Sequence, residues 1–183
     1  MSLFQNIIVI ILLISAAGFL SLTEIALAGA RKVKLKILAE SGEIRAQKVL
    51  DLQEQSADFF AASQIGLNAI AILGGILGEG AFRPYFVEFV ARFYTGPWLE
   101  TIGFALSFTL VTSLFILFAD LMPKRLAMNA PEKISIRVIE PIQIFIKICK
   151  PLAWGINAIA NLLFRLFKVN TIRDDNITFD DIS

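Results

Sequence analysis

Apolar residues in this chain gather into three long runs separated by blocks of charge, and they alternate with polar residues at helical spacing only in the intervals. The first run, Leu3 to about Ala28, has a polar insertion, Ser21, Thr23 and Glu24, in its last third. About 25 residues at 1.5 Å each exceed a hydrocarbon core of roughly 30 Å, which predicts a membrane helix. Arg31 to Asp58 is basic, then mixed. Val33, Leu35, Ile37, Leu38, Val49, Leu50 and Leu52 are interleaved at helical spacing, and Ser41-Gly42 marks a break, so two short amphipathic helices are expected. Phe59 to about Gly80 is a second span rich in Gly and Ala, and Gly66, Gly74, Gly75 and Gly78 suit a central helix that its neighbours approach closely. Arg83 to Leu99, with Pro84, Gly96, Pro97 and many aromatic residues, reads as an interfacial connection. The third span runs from about Glu100 to Met122.

After Lys124 the pattern changes again. Pro131, Pro141 and Pro151 recur every ten residues and predict three short helices, Glu132 to Glu140, Ile142 to Lys150 and Leu152 to Lys168. A fourth crossing over 142–167 is interrupted by Lys147, Lys150 and Pro151. The favoured reading is therefore a set of amphipathic helices around the bundle, with Trp154, Arg165 and Lys168 as anchors. The acidic, polar stretch 171–183 reads as the start of a linker, which leaves 1–170 as one membrane domain.

Composition agrees: 56% of the 183 residues are hydrophobic, sixteen of them Phe. The fold class is thus an all-α membrane protein with three transmembrane helices. The first run is too long, and lacks the basic start, for a signal peptide. Six Lys and Arg follow the first span, two lie between the second and third, and nine follow the third. The positive-inside rule then puts the first connection and the C-terminus in the cytoplasm and the N-terminus outside. With no His and a single Cys149, an internal disulfide and a His- or Cys-based zinc site are excluded, so any metal must be held by oxygen. No nucleophile stands beside a base, no enzyme is expected, and nucleic-acid binding has no support.

The candidate chemistry lies in the spans. Asp120 interrupts an apolar run just before Pro123, Lys124 and Arg125, and a charge in a membrane helix is costly unless it serves a partner, an interior or an ion. Given the topology, Glu24, Asn68 and Asp120 fall at similar depth in the cytoplasmic half of the membrane. Ser21 is three residues from Glu24 on the same face. Pro123 has no N–H, which frees the carbonyl of Ala119, and Gly66 permits an accessible carbonyl on the second span. Two carboxylates, a hydroxyl, an amide and free carbonyls suit a hard cation such as Mg2+. Structural roles compete: an ion pair of Asp120 with Lys124 four residues on, an interhelical bond for Glu24, and helix-helix contacts for Ser63 and Gln64.

Three stretches, FLSLTEIALAGARKVKLKILAESG from Phe19, SQIGLNAIAILGG from Ser63 and FADLMPKRLAMNAPEKIS from Phe118, together resemble the transmembrane domain of the CorC/cyclin M (CNNM) family of magnesium transporters. The resemblance implies three membrane helices, a cytoplasmic helical pair, a juxtamembrane belt helix and a homodimer. It also implies cytosolic nucleotide-binding modules after this segment, and a bacterial-type inner membrane location. Mg2+ is then the expected substrate, held in an inward-facing cavity by Ser21, Glu24, Gly66, Asn68 and Asp120, with Pro123 and Lys124 structural or gating. Export with Na+ as the coupling ion is the implied mode, and no cofactor is covalently bound. The chain departs from the family at Ala119-Asp120, where Gly-Glu is usual, and at Ala71, where many relatives carry Asn. These departures motivate an alternative, export of a polyamine or other organic cation. A third reading is a non-transporting membrane anchor or regulator.

Overall fold

The computed structural model describes residues 3–166, and among them every regular element is helical. Helix α1 covers Leu3–Gly29, α2 Lys32–Glu40, α3 Ile44–Glu54, α4 Ser56–Ala91 and α5 Leu99–Leu114. A π-helical segment, Phe115–Leu121, joins α5 directly to α6, Met122–Asn129, and α7 covers Pro131–Leu166. Three stretches, Leu3–Gly29, Phe59–Ala91 and Leu99–Asn129, are long and apolar enough to cross a membrane, as the three apolar runs predict.

The short helical pair forms where the pattern places it. Gly42 adopts φ +100°, a conformation costly for any residue with a Cβ. The N–H groups of Gly42 and Glu43 then bond back to the carbonyls of Ala39 and Leu38, which closes α2. The pair buries Leu35, Ala46, Val49 and Leu50 against Leu27, Phe59, Ile139 and Ile142, so one core joins α1, α2, α3, α4 and α7. Two ion-pair clusters reinforce this contact: Arg31 and Lys34 on Glu132, and Arg45 and Lys48 on Glu140.

Helix α4 packs against both α1 and α5. Its glycines divide the work. A Cβ on Gly74 would collide with the ring of Phe115, and one on Gly78 with Val111, whereas Gly75 faces open space. Gly74 and Gly78 therefore seat α5 and the π segment, in the way small residues let membrane helices approach.

Three expectations are corrected. The second span does not stop near Gly80; α4 continues through Pro84 to Ala91, and the connection shrinks to residues 92–98. Arg83 holds this extension, pairing with Glu79 one turn back and with Glu100 on α5, over the ring of Phe104. The third span does not end at Met122 but runs without interruption to Asn129. The tail is one helix rather than three short ones. Pro131 starts α7, but Pro141 and Pro151 lie inside it, both on its exposed side. An interior proline removes one helical hydrogen bond without ending a helix whose opposite face is held by packing. That face, with Ser135, Val138, Ile139 and Ile142, is buried, and α7 packs against α1, α3 and α4. Lys168 and 171–183 lie outside the described residues, as do the side chains of Trp154 and Arg165.

Candidate functional site

Ser21 is the best defined of the candidate residues. It is fully buried on α1, and its hydroxyl donates to Asp120 Oδ1 at 3.1 Å. The same Oδ1 receives the ammonium of Lys124 at 2.5 Å. Asp120 thus makes the ion pair with Lys124 that was the competing structural reading, and it also accepts from Ser21, which the sequence offered as a fellow cation ligand. The carboxylate is about half exposed (48%), so it is open to a further ligand.

The backbone explains why Asp120 reaches α1. In the π segment the N–H of Met122 bonds to the carbonyl of Leu117, five residues back rather than four. This inserts one extra residue into the turn that carries Asp120; π-helical turns are rare and often mark functional sites. It also moves the consequence of Pro123 by one residue. In the π register the carbonyl that Pro123 cannot serve is that of Phe118, one residue before the Ala119 carbonyl to which the α-helical spacing points. Gly18, one turn before Ser21, sits against this place: a Cβ there would lie 3.3 Å from the Phe118 oxygen and 3.2 Å from Pro123 Cγ. Gly18 therefore lets α1 approach closely enough for the Ser21–Asp120 bond. Sequence reasoning missed it, although its spacing of three from Ser21 was the available signal.

The other candidates are placed differently. Glu24, half-buried on α1, accepts from Gln64 Nε2 at 3.5 Å, a long bond that links α1 to α4. Gly66 is a point of close packing, since a Cβ would come within 2.7 Å of the Phe145 ring and 2.9 Å of Leu20. Asn68 is exposed on α4. Ala71 lines a groove with Ile76, Glu79 and Phe108 on the α5 side of α4. Ser21, Asp120, Pro123 and Lys124 are thus brought together, with Glu24 one turn along α1, while Gly66 contacts Leu20 and α7. No group of three or more acidic or cysteine ligands is found among the described residues.

Comparison with known proteins bears on this geometry. The family description "Cyclin M transmembrane N-terminal domain" matches residues 8–183. The chain belongs to the CNNM family. It is a multi-pass membrane domain of that family, as the three stretches quoted above imply. It is 49% identical over 178 residues to the "Polyamine export protein" of Escherichia coli (strain K12), covering 97% of this chain and 40% of that protein. It is 43% identical over 182 residues to the protein of the same name from Haemophilus influenzae, covering 100% of this chain and 42% of that one. A UPF0053 protein of Synechocystis is 29% identical over 174 residues, covering 94% of this chain and 39% of that protein. The chain spans about two fifths of the length of these curated relatives.

Proposed function

We propose that this CNNM domain exports an organic polycation of the polyamine type. The observation that carries the reading is the seat made by Asp120. Its carboxylate accepts at once from the Ser21 hydroxyl and from the alkylammonium of Lys124. A primary ammonium on an alkyl chain is what a polyamine presents, so a substrate terminus can take the place of the lysine. Glu24, three residues from Ser21 and so about 4.5 Å further along α1, offers a second carboxylate to the next ammonium of the same molecule. The names of the relatives at 49% and 43% identity support this choice. In this reading the N-terminus lies outside and the C-terminus in the cytoplasm of the inner membrane. The domain pairs as a homodimer, and cytosolic nucleotide-binding modules follow it.

A second reading, Mg2+ as substrate with Na+ as the coupling ion, draws on the convergence of a hydroxyl and a carboxylate oxygen at Ser21 and Asp120. Either cargo faces the same energetics. Moving a charge of +2 outward against 100 mV, inside negative, costs about 4.6 kcal/mol, so export must be coupled.

Efflux from cells loaded with radiolabelled putrescine or with Mg2+ separates the two readings. The expected result is putrescine efflux from cells carrying the full-length protein, at least tenfold reduced in Asp120→Asn, with Mg2+ content unchanged. Loss of Mg2+ efflux in Asp120→Asn, with no putrescine efflux in the wild type, overturns the polyamine reading.

A further inference from the structure

A cavity of about 280 Å3 opens between the end of α1, the end of α3 and the first turn of α4, away from the Ser21–Asp120 pair. Leu27, Leu52 and Phe60 make its walls apolar, and Lys32, Gln53 and Ser56 supply its polar groups. It lies where the first span ends at Gly29 and the second begins at Phe59, which is the depth of the boundary between hydrocarbon and headgroups. We infer that this cavity is a binding site for an anionic phospholipid, with a length of acyl chain against the apolar walls and the phosphate at Lys32 and the start of α4.

Five observations support this. Lys32 is exposed and takes part in none of the ion pairs found among the described residues, whereas its neighbours Arg31 and Lys34 are both engaged by Glu132. Its ammonium is therefore free to meet an anion. Ser56 opens α4, and the first turn of a helix presents N–H groups and the positive end of its dipole, which favour a phosphate. Gln53 holds the wall: its Nε2 donates to the terminal carbonyls of α1, Leu27 O at 2.7 Å and Ala30 O at 2.9 Å. Its Oε1 is buried, an acceptor that the protein itself leaves without a donor beside the cavity that Gln53 lines. Of the carboxylates at the end of α3, Asp51 accepts from Gln47, and neither it nor Glu54 lines the cavity. Finally, α2 exposes Val33 and Ile37 one turn apart and next to Lys32 and Lys36, the pattern of a helix lying in the interface, so the mouth of the cavity opens at headgroup level. At about 280 Å3 the cavity is at the lower limit of ligand pockets, which suits part of one chain rather than a whole lipid.

Native mass spectrometry of the full-length protein released from nanodiscs of equal phosphatidylglycerol and phosphatidylethanolamine tests the site. The expected result is roughly fivefold preferential retention of phosphatidylglycerol: both lipids offer Lys32 a phosphate, but only phosphatidylglycerol keeps a net negative charge beside it, whereas the ammonium of phosphatidylethanolamine cancels that charge. Lys32→Glu and the cavity-filling Leu52→Trp should abolish this preference, and Lys36→Glu, the same charge change outside the cavity, should leave it. Equal retention of the two lipids by the wild type overturns the proposal. So does a preference that Lys36→Glu removes as fully as Lys32→Glu, or one that survives both Lys32→Glu and Leu52→Trp. Lys32 is exposed, so its variant reports even where Leu52→Trp fails to fold.

Discussion

At Asp120 a single oxygen serves two donors, and removing either changes what the carboxylate offers to a third. Lys124 is the competitor of an incoming ammonium. Lys124→Ala should therefore tighten putrescine binding roughly two- to fivefold, the range expected for an ion pair more than a third exposed. Calorimetry on the purified full-length protein measures this, and weaker binding in the variant would make Lys124 part of the seat rather than its gate. Ser21 and Asp120 were legible as candidates because a carboxylate and a hydroxyl at similar depth in apolar runs need partners. The choice of partner was not legible. An interhelical bond for Glu24 and a helix-helix contact for Gln64 were both read from the sequence, but not that the two meet each other, because helical spacing describes one helix and carries no information about its neighbour.

On the scale of elements, the helical pair is held to α7 by Arg31 and Lys34 on Glu132, together with Arg45 and Lys48 on Glu140. Glu132 stands in the first turn of α7. Its own backbone N–H, and then Arg31 and Lys34, hold its carboxyl below the ordinary carboxylate value, while burial opposes them. A depressed folded pKa means that this contribution is complete above the unfolded value of about 4.5 and is lost as pH falls through the folded value. Thermal melts of the full-length protein in detergent between pH 3 and 7 should show Glu132→Gln less stable than wild type at pH 7. The difference should shrink toward pH 3, and a difference that stays constant across this range would deny Glu132 its role. The two short helices were legible from Ser41-Gly42 and the interleaved apolar positions. The continuity of α4 beyond Gly80 and of α7 through two prolines was not. A proline states the local loss of one hydrogen bond, and whether the helix survives it depends on packing against other elements.

For the whole molecule, the orientation proposed from the distribution of basic residues can be tested through Cys149, the only thiol. Burial pushes this thiol up, so its thiolate fraction near neutrality is small and labelling should be slow, speeding up as pH rises. In intact cells an impermeant maleimide at pH 8.5 should leave Cys149 unlabelled, while opened cells should react. Labelling from outside in intact cells would reverse the proposed orientation. The amino-acid sequence by itself determined the three spans and the class of fold, because in lipid each segment must satisfy its own backbone hydrogen bonds, which makes a helix a local property of about 20 apolar residues. Only the tertiary structure decided that Asp120 rides on a π turn, that Gly18 admits this turn, and that Ser21 rather than Glu24 holds the carboxylate. Helical registers one residue apart have similar local energies, and the choice between them is made by side chains that arrive from distant parts of the chain.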